Sequence, residues 1–164
     1  MSGPLNILEL DSTHDRSAFT CGVSSLDQYL QTQASQDVKR HVAKAWVLVD
    51  DQAQILGYYT LSSHGIALTD LPDLVQKKLP RYPMVPVVRM GRLAISAAYH
   101  GQGLGALLLA DALARIIAMP IGVFALVVDA KNLNAATFYM KNGFIPFLND
   151  PLTLFLRIDT ATQA

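Results

Sequence analysis

The chain has 164 residues and sets 13 Lys and Arg against 13 Asp and Glu, so its formal net charge is 0. Hydrophobic residues make up 51% of it and charged residues only 16%, where an average soluble domain carries about 25% charged residues. Such composition excludes intrinsic disorder, because enough apolar surface is available to offset chain entropy. A neutral chain is also not one that coats nucleic acid over its whole surface, although local cationic sites remain open to it.

The length fits a single domain over residues 1–164. The longest strongly apolar stretch without a charge, Ile116–Val128, has 13 residues and contains Pro120 and Gly122, whereas a bilayer needs roughly 20. The start, MSGPLNILELD, lacks the basic and apolar regions of a secretory leader. The single cysteine, Cys21, has no partner for an internal disulfide, which fits a reducing cytoplasm. Twelve of the acids are Asp and one is Glu9; none lies between Leu74 and Ala110. That interval carries Lys77, Lys78, Arg81, Arg89 and Arg92, so the neutral chain has a cationic central third.

In chain order, Asn6–Leu10 reads as a short strand. Ser24 with Asp27 three residues on resembles a capping box, opening a helix to about Val38 with Leu26, Tyr29 and Leu30 on one side. Ala45–Val49 and Ile55–Ser62, separated by a polar turn, predict a hairpin. Four prolines between Ile66 and Pro86 exclude a long helix or central strand there and leave one short helical candidate, Asp73–Leu79.

Val87–Ile95 then predicts a strand and Leu104–Met119 a helix, with Leu109, Leu113, Ile116 and Ile117 inward and Asp111 paired with Arg115. Val123–Val128 reads as a strand buried on both faces. Asn132 is set to cap a helix that ends at Gly143, with Leu133, Ala136 and Met140 inward. Phe144–Leu148 and Thr153–Ile158 close the chain as strands. The order is β, α, ββ, β, α, β, α, ββ, an α/β mixture.

Two segments carry chemistry. Between strand and helix lies a turn with glycines at 101, 103 and 105. Glycines let the backbone approach an anion, and the helix N-terminus behind them favours a pyrophosphate. Glycines also occur where strand and helix simply pack tightly, and neither Walker A nor Rossmann spacing is present. The second segment, NLNAATFYMKNGF, places Tyr139 where it is either a packing residue or a phenol that donates a proton to a leaving group.

Together the two segments resemble the GNAT N-acetyltransferase superfamily. RLAISAAYHGQGLGALL resembles its acetyl-CoA motif, with His100 where Arg or Gln is usual, and NLNAATFYMKNGF resembles its second signature. FTCGVSSLDQYL, GYYTLSSHGI, RYPMVPVVRMGRLAI and TLFLRI are similar to the TacT/AtaT type of GNAT toxin, which is partnered by ribbon-helix-helix antitoxins. The resemblance implies a mixed, splayed sheet of six or seven strands flanked by about four helices, and a homodimer.

It also implies an acetyl-CoA-dependent toxin of a type II toxin–antitoxin module that acetylates the α-amine of aminoacyl-tRNA. By the same resemblance Leu93, Ala94 and Ile95 hold the pantetheine arm. His100, Gly101, Gln102, Gly103, Leu104, Gly105 and Ala106 hold the pyrophosphate, Asn132 touches the cofactor's far side, and Tyr139 is the acid.

The cationic set Lys77, Lys78, Arg81, Arg89 and Arg92, with Lys39, Arg40 and Lys44, reads either as a solvated face or as a phosphate-contacting groove for a tRNA acceptor stem or for CoA's own phosphates, with Arg89 and Arg92 the leading contributors. Glu9 lies far from the motifs and is a poor general base; an aminoacyl ester's amine is neutral enough near pH 7 to need none. His14, His41, His64 and His100 share no metal-ligand spacing, so no metal is expected. His64 is either a proton relay or an ordinary strand-end residue. Cys21 is read as a packed thiol and Trp46 as core. The alternative activities are a GNAT enzyme for a small-molecule or protein amine without a toxin role, and a GNAT-fold binding protein without catalysis.

Overall fold

The computed structural model describes residues 3–161. Seven strands form one sheet in the order β1-β2-β3-β4-β5-β7-β6. Contacts divide the chain into two compact units, one from Met1–Ser62 with Gly91–Ala112 and the other from Ser63–Met90 with Leu113–Ala164. The strands β3 (Ile55–Ala67) and β4 (Met84–Ile95) each contribute to both units.

In the first unit, β1 (Asn6–Glu9) and β2 (Lys44–Val49) pair antiparallel, and β2 pairs antiparallel with β3. The helical stretch beside them is α1 (Ser24–Gln28), a π turn (Tyr29–Gln33) and α2 (Ala34–Lys39). The amide of Ala34 reaches back five residues to the carbonyl of Tyr29, which widens the helix at its middle. Leu30 and Ala34 are fully buried with Val47 and Tyr58 in one cluster.

The expected capping box is half formed. Ser24 makes no cap bond and Val23 is the cap residue, but the Asp27 carboxylate reaches back to accept from the Cys21 amide at 2.9 Å. Alternation along β3 sends neighbouring tyrosines opposite ways. Tyr58 enters that cluster and donates to the Leu26 carbonyl, while Tyr59 stacks on Trp46 and donates to Asp111 at 2.6 Å.

In the second unit β4 pairs parallel with β5 (Ala125–Asp129), from Val87 opposite Ala125 to Met90 opposite Val128. β5 pairs antiparallel with β7 (Asp150–Arg157), which pairs antiparallel with β6 (Ile145–Phe147). A core of Ile66, Leu71, Val75, Val87, Val127 and Phe155 joins these strands to α3 (Asp73–Gln76). The proline argument fails at Pro86, which lies inside β4, exposed, with its carbonyl accepting from Phe124. Proline lacks a donor but keeps its acceptor, so it is tolerated where only the carbonyl is used.

α4 (Leu104–Ile117) buries Leu104, Leu108, Leu109, Ala112 and Ile116, whereas Ile117 is exposed. α5 (Leu133–Lys141) is rotated from the expected stripe: it buries Ala136 and Tyr139, and Leu133 and Met140 are exposed. The aromatic ring removes more apolar area from water than either aliphatic side chain, so it takes the core position. Asn132 caps this helix, its side-chain oxygen accepting from the Ala135 amide at 2.9 Å, and Gly143 follows it at φ +94°. A last single turn, α6 (Ile158–Ala161), follows β7. Among the described residues no helix is long and apolar enough to cross a membrane.

Candidate active site

The first unit carries the glycine-rich segment. β4 ends in Leu93, Ala94 and Ile95, of which Ala94 is buried and its two neighbours half-buried. The chain then turns through Ser96, whose amide donates to the Leu56 carbonyl at 2.8 Å, and Ala97, whose amide donates to Thr20 at 2.8 Å. His100 Nε2 lies 2.7 Å from the Ile95 carbonyl. A carbonyl only accepts, so this nitrogen carries the hydrogen and donates. His100 therefore ties the turn to the end of β4, in place of the arginine or glutamine usual at that position.

Gly101 and Gly103 adopt φ +78° and +80°, and a Cβ built on either meets nothing within 4 Å. Backbone conformation rather than crowding requires glycine here. Both glycines and Gln102 are exposed. α4 follows at once, and amides in its first turn, among them Leu104, Gly105 and Ala106, have no acceptor within the helix. Turn and helix dipole together form an anion-binding end.

Gly57 is a contributor that sequence reading missed. A Cβ there meets the Ala94 carbonyl at 2.9 Å and the Ile95 side chain at 2.8 Å. Gly57→Ala is expected to displace the end of β4 and cost about 1–3 kcal/mol, as overpacking does. Thermal melting checks the cost, and weaker acetyl-CoA binding in the folded variant checks the displacement. The only sequence signal was a glycine inside an otherwise strand-forming run.

The second unit carries Tyr139. Its ring lies between Phe138 and Phe144, at 5.3 and 5.4 Å between centroids. Burial and, secondarily, the Asp129 carboxylate push its pKa up to about 12. The buried tyrosines 29, 58 and 59 donate to Asp37, the Leu26 carbonyl and Asp111. Tyr139 is buried as well, yet among the described residues its hydroxyl has no hydrogen-bond partner. A buried phenol with its donor unspent is suited to an external acceptor.

Asp129, at the end of β5, accepts from Arg89 Nε at 2.8 Å and from Arg89 Nη2, and its other oxygen lies 3.1 Å from the Thr153 hydroxyl, whose single hydrogen goes to the nearer Asp150 at 2.7 Å. A cleft of about 460 Å³ opens beside this pair, lined in part by His64, Arg89, Asp129, Phe147, Asp150 and Thr153. Arg89 thus gives its Nε and Nη2 to one oxygen of Asp129 and keeps its Nη1 donors, on a side chain 45% exposed. Lys77, Lys78 and Arg81 are exposed. Arg92, in the first unit, stands over the Tyr29 ring at 3.5 Å from its centroid. Glu9 lies 3.6 Å from Lys44 across β1 and β2, and the thiol of Cys21 is buried near the Val23 carbonyl.

Residues 41–146 match the family described as acetyltransferase (GNAT) domain. A tRNA-acetylating toxin of Mycobacterium tuberculosis is 34% identical over 162 residues, covering 98% of this chain and 94% of the relative. AtaT complexed with acetyl-methionyl-tRNAfMet superposes with a TM-score of 0.91 at 33% identity, covering 98% of each chain. A Tyr-to-Phe mutant of AtaT bound to acetyl-CoA and to the C-terminus of its antitoxin AtaR gives 0.82 at 30% identity, covering 97% of this chain and 96% of the other. The chain belongs to the GNAT acetyltransferase family.

Proposed function

We propose that this chain transfers an acetyl group from acetyl-CoA to the α-amine of an aminoacyl-tRNA, and that it is the toxin of a toxin–antitoxin pair acting in the cytoplasm. The observation that carries the chemistry is the unspent hydroxyl of buried Tyr139 beside Asp129. The similar proteins supply the acceptor, since one is named for acetylating tRNA and another was solved with an acetylated aminoacyl-tRNA. The AtaT–AtaR complex supports an antitoxin as partner; a ribbon-helix-helix antitoxin and a homodimer extend the same reading.

Acetyl-CoA supplies an activated acyl group. Leu93, Ala94 and Ile95 hold its pantetheine arm along the end of β4, and the turn from His100 through Gly105 with Ala106 takes the pyrophosphate. Asn132, whose oxygen caps α5, would offer its amide nitrogen to the cofactor. The Ile95 amide donates to the carbonyl oxygen on which charge develops as the amine attacks. The carbon–nitrogen bond forms and the carbon–sulfur bond breaks, Tyr139 presenting its O–H to the departing sulfur, while the proton given up by the amine nitrogen passes to solvent and balances the one the thiolate takes up. Much of the acceleration comes from holding amine and thioester together.

With no carboxylate base in this account, kcat/KM rises with pH as the acceptor amine loses its proton. It then stays level up to pH 10, because Tyr139, raised to about 12, keeps its hydrogen. A rate-versus-pH series checks this, and a falling limb centred below pH 10 would contradict it. To distinguish acceptors, the purified chain is given acetyl-CoA with aminoacyl-tRNAs, polyamines or peptide N-termini. Transfer to an aminoacyl-tRNA supports the proposal; transfer only to the small or protein amines would replace it with the alternative GNAT activity.

A further inference from the structure

Arg92 has an arrangement that the chemistry above does not use. It is half-buried on β4, three residues before Ile95, or about 10 Å along the strand. Its guanidinium carbon stands 3.5 Å from the centroid of the Tyr29 ring, a cation–π contact that does not consume the N–H donors. Among the described residues none of those donors has a hydrogen-bond acceptor or ion-pair partner. The comparable half-buried Arg16 and Arg157 spend theirs on Ser35 and the Leu30 carbonyl, and on Asp159.

The platform beneath it is fixed. Tyr29 opens the π turn, and its hydroxyl donates to Asp37 at 2.7 Å. Asp37 also accepts from the Gln33 side chain at 3.0 Å. Each carboxylate oxygen is thus engaged elsewhere, although the negative charge still acts on Arg92. The wider turn brings Tyr29 under the strand while Tyr58 stacks behind it at 6.4 Å. A planar cation oriented by an aromatic face, with its fork open, is a receptor for a phosphate or carboxylate.

We propose that Arg92, stacked on Tyr29, binds the phosphodiester 5′ to the terminal nucleoside of the acceptor, and so makes the site selective for a nucleotide-linked amine. The assignment rests on the aminoacyl-tRNA reading. In that substrate the terminal nucleotide's own phosphate is one sugar away from the reacting ester, within the span from Ile95 to Arg92. Arg89, by contrast, has two of its donors and its charge paired with Asp129.

The test compares two acceptors with acetyl-CoA: an aminoacyl ester of adenosine, which has no phosphate, and the same ester of cytidylyl-adenosine, which has one. The native chain is expected to favour the dinucleotide ester by about tenfold or more in kcat/KM, the scale of a bidentate charge-assisted contact. Added salt should shrink that preference. Arg92→Gln should bring the ratio close to one, and Arg92→Lys should restore part of it. Equal loss on both acceptors in Arg92→Gln would make the residue a structural strut and overturn the proposal, as would a native chain without preference. Transfer to neither ester would remove the aminoacyl reading and this proposal together.

Discussion

Tyr139→Phe lowers acetyl transfer by about 10²- to 10⁴-fold, the usual range for a positioned proton donor, while acetyl-CoA affinity stays close to native. The ring keeps its packing against Phe138 and Phe144, and no protein hydrogen bond is broken among the described residues. Folding stability should therefore hold within about 0.5 kcal/mol. A phenol at about 12 is a weaker acid than a thiol near 8.5. In the proposed mechanism Tyr139 would accordingly work first as a hydrogen-bond donor to the charge developing on sulfur, with full protonation completed as the product leaves. Single-turnover kinetics beside a direct cofactor titration separate the two quantities. Unchanged turnover would remove Tyr139 from the chemistry.

The second large effect is on binding. Gly103→Glu should weaken acetyl-CoA affinity by about 100-fold or more, because two penalties add. The backbone stands at φ +80°, a conformation that costs a residue with a Cβ roughly 1–2 kcal/mol. The new carboxylate then enters the open space where, on the proposed reading, the amides of α4 would draw a pyrophosphate, and like charges would repel there. Gly103→Ala carries the first penalty alone and should lose much less. Calorimetric titration of both variants divides conformational strain from charge, and equal affinities for the two would discard the charge argument.

Much of the fold was legible because periodicity and punctuation agreed. The hairpin of β2 and β3, the strand–glycine–helix segment and the Asn132-to-Gly143 helix all follow from local rules. Misreadings arose where tertiary packing decided between residues of similar hydrophobicity. Leu133 and Met140 look as apolar as Ala136 and Tyr139, but the larger aromatic took the buried face of α5. Pro86 was judged by the donor it lacks, whereas β4 uses its carbonyl.

The glycine turn and Tyr139 stood out in the sequence through the family resemblance of their segments, since spacing alone left a packing role open for each. The Arg89–Asp129 pair did not, since its members are separated by 40 positions and meet only through the parallel pairing of β4 with β5. For the same reason five cations in an acid-free interval looked alike in the sequence. The structure divides them into exposed Lys77, Lys78 and Arg81, an arginine paired with Asp129, and one over the Tyr29 ring with its donors open.

The most direct measurement follows isotopically labelled acetyl groups from acetyl-CoA into charged tRNA. After mild base releases the ester, mass spectrometry identifies where the label sits. The account predicts an N-acetyl amino acid, formed with the native chain and lost with Tyr139→Phe, and no label in uncharged tRNA. Label on the RNA itself, or none on any aminoacyl group while another amine is acetylated, would contradict it.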